Sequence, residues 1–170
     1  LEWKRKEIGS IMDDIDSVTT LFQRVKLDSN VENEYKAAFQ EIVRFVNRYR
    51  KHTITEHELE VTEALAGPFT QGGLLIVLLE PRIYHPWEKG VYFVIQDCRS
   101  LCVMDEGLKF VSRGSLSLTN GVSLLDIRPF FVKKCYPDLD PEVWERLYDL
   151  VYEAIKAKKP DALLCMGDVR

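Results

Sequence analysis

Two carboxylates stand at the ends of apolar runs in this chain: Glu80 closes LLIVLLE and Asp126 closes VSLLD. Apolar runs of that length predict strands covered on both faces, and DALLCMG at Asp161–Gly167 predicts a third. An α/β fold places its ligand site where such parallel strands end in polar side chains. Just past Glu80 come Arg82 and the Pro-flanked segment Tyr84-His85-Pro86-Trp87, in the position of a ligand loop. Ionised carboxylates accept hydrogen bonds, and exposed rings offer faces for stacking. Each residue also has a plain structural alternative. Tyr84 and Trp87 can pack their loop down, Phe93 can belong to the core, and Asp126 can cap a loop or pair with Arg128.

The elements that must position these groups follow from periodicity. Residues 31–50 carry Val31, Tyr35, Ala38, Phe39, Ile42, Phe45, Val46 and Tyr49 at three- and four-residue steps, which predicts an amphipathic helix. A looser stripe over residues 8–26, from Ile8 to Val25, predicts another. Thr55 and Glu58 form a capping-box pattern ahead of a helix at Glu56–Ala66, which Gly67-Pro68 closes. Past Gly72-Gly73 the pattern becomes strand-like, and VYFVIQD and GLKFVS are predicted as strands between LLIVLLE and VSLLDI. Asp140-Pro141 sets an N-cap and a proline at the first helical position of a helix reaching about Lys159. A crossover of that length joins parallel strands with a right-handed connection. The expected division is a helical region at 1–66 packed on an α/β domain at 67–170.

Composition bounds the rest. A chain of 170 residues with 46% hydrophobic and 29% charged content buries a substantial core, and no apolar run is long enough to span a bilayer. Starting at Leu1 without a signal-like segment, it is expected to be a fragment of an intracellular protein, nuclear or cytoplasmic, with no membrane contact. Cys98, Cys102, Cys135 and Cys165 have no zinc-like spacing and are expected as buried free thiols. His52 and His57 are five apart, so a helix would not place them on one face, and neither metal nor cofactor is expected. A net charge of −4 opposes strong non-specific attraction to phosphate. Lys4–Lys6 and Arg44–Lys51 are the basic concentrations, readable as a local patch or as solvated helix termini.

In order and partly in spacing, the strand ends resemble motifs of the uracil-DNA glycosylase superfamily. Leu78-Leu79-Glu80-Pro81 occupies the GQDP places of that family's GQDPYH-type motif, whose aspartate positions or activates water. Gly90-Val91-Tyr92-Phe93 falls at the offset of its GLAF-type segment, whose phenylalanine stacks on the extruded base. Leu124-Leu125-Asp126 resembles its LLN, and Ala162–Gly167 its strand ending in a WG-like pair. The likeness covers about residues 73–170. An alternative register, with Gln96-Asp97 as the family's QD and Phe110 as the ring, matches identities better but shortens the interval to Asp126.

The resemblance implies a three-layer α/β/α fold with a mostly parallel central sheet. It implies a diverged glycosylase-like protein that binds a base or excises it from DNA, with Glu80 as catalytic carboxylate and Phe93, Asp126, Arg82, Tyr84 and His85 around the base. Departures shape that expectation. Glutamate replaces the aspartate, which displaces the oxygens by more than ~1 Å. Arg82 stands where the family tyrosine bars thymine's methyl. An ionised Asp126 in place of asparagine would repel uracil O4 and suit the N4 amino group of cytosine. The family's late HPSPLS-type segment, which carries an electrophilic histidine, has no counterpart, so the α/β domain is expected to be incomplete at its C-terminus. The competing expectation is a catalytically inactive α/β domain that meets a protein partner through its N-terminal helices.

Overall fold

The computed structural model describes residues 32–82, 84–131, 136 and 138–166. The helix expected over 8–26, Lys4–Lys6 and Cys135 lie outside the described residues. The helices among the described residues are α1 (Glu32–Tyr49), α2 (Glu56–Ala66), α3 (Val91–Asp97), α4 (Arg99–Val111) and α5 (Pro141–Lys158), with a 3-10 turn at Trp87–Lys89. Strands β1 (Leu74–Leu78), β2 (Val122–Asp126) and β3 (Ala162–Cys165) form one sheet in the order β2-β1-β3. Both pairings are parallel, with Leu78 opposite Asp126 and Val77 opposite Cys165. The chain is therefore mixed α/β, built on a small parallel sheet.

Alternation along the strands divides the interior in two. Leu75, Val77 and Leu125 belong to a core with Tyr35, Phe39, Ile42 and Val46 of α1 and Leu147, Val151 and Ala154 of α5. Ile76, Val122 and Leu124 belong to a second core with Val61 and Leu65 of α2, Val94 of α3, and Leu101 and Leu108 of α4. Burial on both faces explains why β1 and β2 read as continuous apolar runs rather than alternating ones. Each large apolar side chain taken fully out of water contributes about 1.5–3 kcal/mol, so these two cores dominate the stability of the fold.

Local signals set the helix ends where the sequence places them. Thr55 accepts the Glu58 N–H at 3.2 Å to start α2. Glu58 does not complete the reciprocal half of a capping box, because both its oxygens take Arg50 Nη1 at 3.0 Å. Arg50, from the basic stretch, is thus turned inward and also donates to the Tyr136 hydroxyl. Asp140 accepts the Glu142 N–H at 2.9 Å with Pro141 in the first turn of α5. No helix among the described residues is long and apolar enough to cross a membrane.

Several expectations are corrected. VYFVIQD is helix α3, not a strand: its β-branched and aromatic residues suit a sheet, but Gly90, at φ 81, starts a helical turn that buries Val94 and Ile95. GLKFVS lies largely in α4, not in a strand. The buried positions of that helix are Leu101, Asp105 and Leu108, a helical spacing interrupted by a charge. Asp105 occupies its inward position by accepting the Leu118 N–H at 2.8 Å while its other oxygen takes Lys109 at 2.6 Å. Strand β3 is not buried either. It is an outer strand of the sheet, with Leu163 and Leu164 about half exposed. Cys98 and Cys102 are partly exposed and Cys165 is exposed, rather than buried, and all three are free.

Candidate functional site

A cavity of about 460 Å³ opens at the carboxyl ends of the strands. Leu78 and Glu80 line it from β1 and the turn beyond, Leu124 and Asp126 from β2, and Met166 from the residue after β3. With β1 between its two partners, the chain leaves the sheet in opposite directions there, which opens a crevice at the strand ends. Most of the lining is apolar with a few polar groups among it, the usual character of a small-molecule pocket.

Glu80 Oε2 receives Arg128 Nη1 at 3.0 Å. The same guanidinium donates from Nε to the Tyr148 hydroxyl at 3.1 Å and lies 5.4 Å from the Trp144 ring of α5. Arg128 is in place because the backbone pairing of β1 and β2 runs on past the strands: its N–H meets the Leu79 carbonyl at 3.0 Å. Of the two carboxylates, Arg128 has therefore taken Glu80, not Asp126.

Asp126 is left in a different state. Its Oδ1 is shielded from solvent and has no partner among the described residues. Burial, and secondarily the neighbouring Glu80 carboxylate, push its pKa up to about 7. An unsatisfied buried polar atom costs about 1–3 kcal/mol, so one retained in a cavity wall asks for an explanation.

The loop after β1 supplies the other wall. Arg82 Nη1 donates to the carboxylate of Asp97 at 2.6 Å and to its backbone carbonyl at 2.7 Å, which ties the loop to the end of α3. The backbone N–H of Arg82 donates to His85 Nε2 at 3.2 Å. The proton of a neutral His85 ring then sits on Nδ1, which is buried without a partner among the described residues. Burial first, and then the Arg82 charge, hold the pKa of His85 below its ordinary value. Trp87 meets the imidazole edge-on at 4.7 Å and lines the cavity with it.

Of the residues singled out in the sequence, Glu80, Arg82, His85 and Asp126 line this cavity, and Tyr84 and Phe93 do not. Tyr84 is 81% exposed, and Phe93 is 54% exposed on α3 against Tyr92. The cavity's aromatic wall is Trp87. Its signal was its place in the loop beyond Glu80, whereas Ser100, Leu101 and Met104 reach the cavity only because α4 is a helix. No cluster of three potential metal ligands occurs among the described residues. Arg44, Arg48 and Arg146 share a shallow depression between α1 and α5, where Arg44 pairs with Glu41 and Arg146 lies 3.9 Å from Asp149.

Fold and site together define a class: a mixed α/β protein with a mostly apolar cleft at the ends of a parallel sheet, one carboxylate held by arginine and another with an oxygen that has no partner among the described residues. Compared with protein-family models, curated proteins and solved structures, the chain matches none.

Proposed function

We propose that this protein is a diverged relative of the uracil-DNA glycosylases that binds a nucleobase turned out of DNA and excises it in the strand-end cavity. The observation that carries the reading is the meeting of Glu80, His85 and Trp87 from one stretch of chain with Asp126 from another around one cavity roomy enough for a base.

Hydrolysis of an N-glycosidic bond needs a carboxylate near the sugar and water, and hydrogen-bond donors toward the departing base. Glu80, oriented by Arg128, is the carboxylate. Water adds to the sugar C1′ as the bond to the base nitrogen breaks. The bonding pair leaves with the base, and Glu80 accepts the proton from the water. His85 Nδ1–H, buried and without a partner among the described residues, is the donor assigned to a base carbonyl where negative charge grows. Trp87 replaces Phe93 as the ring for stacking.

Duplex and single-stranded oligonucleotides containing uracil, a mismatch, or an abasic control test this reading. Strand cleavage after alkali should appear for a modified base and fall at least ~100-fold in Glu80→Gln, the usual scale for losing a group that handles the water. Absence of cleavage on every substrate would withdraw the excision half.

A second reading has its own observation. Val103 and Val111 of α4, Leu164 of β3 and Met166 are exposed apolar groups that line one shallow groove. A patch of this kind is characteristic of an interaction module without chemistry. In that case Glu80→Gln and Asp126→Leu would leave every DNA-binding and cleavage signal where it was.

A further inference from the structure

Two residues of the cavity lining each carry a buried polar atom without a partner among the described residues, Asp126 Oδ1 and His85 Nδ1. Their chemistries differ. His85 Nδ1–H can only donate while Nε2 is occupied by the Arg82 N–H. A carboxylate can only accept, whereas a neutral carboxyl group both accepts and donates, as a side-chain amide does.

Building on the base-binding reading above, we propose that Asp126 engages its base as a neutral carboxylic acid facing a lactam edge. One of its oxygens accepts the N3–H of a uracil-like ring and the other donates to O4, while His85 Nδ1–H donates to a further carbonyl of the same ring. Asparagine would offer the same pair, so the replacement preserves the reading of uracil on condition of a proton. The repulsion between an ionised aspartate and O4 then becomes a pH gate rather than a bar.

The surroundings favour that protonation. Glu80 faces Asp126 from the end of β1, and Arg128, the cation beside them, is committed to Glu80 and Tyr148. Arg82 is committed to Asp97, and His85 is held toward its neutral form by burial. The Cys98 thiol lines the cavity between α3 and α4. Helices α2 and α4 and the end of β3 add no charged side chain to the lining. No cation near Asp126 is thus left to hold it ionised among the described residues, and burial with the Glu80 charge pushes its pKa up to about 7.

The test is calorimetric titration of the chain with free uracil and with 3-methyluracil at pH 6.5 and pH 8.5, using wild type, Asp126→Asn and Asp126→Leu. With the neutral form as the competent state, wild-type affinity for uracil should be roughly 20-fold weaker at the higher pH. Asp126→Asn should bind uracil equally at both pH values, Asp126→Leu should lose binding, and 3-methyluracil, which lacks the N3–H, should not bind. Uracil binding that ignores pH in wild type overturns the inference. So does a pH slope that survives in Asp126→Asn, binding of 3-methyluracil as tight as that of uracil, or no uracil binding at either pH. Cleavage of DNA distinguishes this from the broader reading: uracil bound with the expected pH slope but never excised removes catalysis alone. Excision whose pH profile is unmoved by Asp126→Asn removes the proton gate alone.

Discussion

Lys158, buried, and Asp126, partly exposed but with one oxygen shielded, are both ionisable groups shifted by burial, yet they lie at opposite ends of the sheet and the protein treats them oppositely. Lys158 is buried where the chain approaches the start of β1. Its Nζ donates to the carbonyls of Pro68 at 2.9 Å and Thr70 at 2.6 Å and lies 5.3 Å from the Tyr35 ring. Asp126, at the carboxyl end of β2, keeps an oxygen with no partner among the described residues. Burial lowers the lysine to about 8 and raises the aspartate to about 7, each toward its neutral form. A buried polar group whose hydrogen bonds are made fastens a fold. One left unmade beside a cavity points to a ligand that makes them.

The comparison breaks most sharply at Lys158. Lys158→Ala strands two carbonyls and opens a cavity, and should cost roughly 3 kcal/mol in urea unfolding, with no specific effect on uracil binding in the folded fraction. A loss under 1 kcal/mol would show that the lysine fastens nothing.

At Asp126 the sign reverses. The folded pKa of about 7 lies above the unfolded 3.8, so its contribution to stability is intact below the unfolded value and is lost as pH rises through the folded one. Asp126→Asn should therefore be more stable than wild type by about 4 kcal/mol at pH 8, with the gap closing toward pH 4. For Lys158, with the folded value below the unfolded 10.5, the sign is opposite: burial of its charge opposes folding until pH climbs from about 8 toward 10.5. Urea midpoints measured across pH for wild type and the two variants would separate the slopes.

Smaller changes sharpen the division between the paired and unpaired carboxylates. Arg128→Met removes an ion-pair partner of Glu80 and a bond to Tyr148, and should cost about 1–2 kcal/mol of stability while abolishing excision. Trp87→Ala should weaken uracil binding about tenfold, the low end of base–aromatic stacking. Phe93→Ala, on the exposed side of α3, should change neither binding nor stability by more than about 0.5 kcal/mol. A large loss of binding at Phe93 with none at Trp87 would restore the family-like placement of the ring.

Legibility in the sequence followed how many independent signals each element carried. Helix α1 was readable from its stripe, and α2 and α5 because caps adjoin theirs: Thr55 and Asp140 both bond as N-caps. Strands β1 and β2 were readable because both faces are buried. Helices α3 and α4 were hidden. In α4, Phe110 and Val111 point to solvent while Asp105 interrupts the inward stripe, and no side chain among the described residues caps its start at Cys98. Misreading α3 carried Phe93 with it, since on a helix that ring turns away from the strand ends. Glu80 and Asp126 survived because strand ends are local, and a carboxylate after an apolar run stays at the rim whatever follows.

Residue order alone determined the parallel α/β character, the rim position of the two carboxylates and the loop of His85 and Trp87, since these depend on nearest neighbours and short periods. Tertiary structure decided which carboxylate Arg128 takes, which aromatic faces the cavity and how far Asp126 titrates from its ordinary value. Those outcomes depend on distances between residues far apart in the chain and on exclusion of water, neither of which has a local sequence signature.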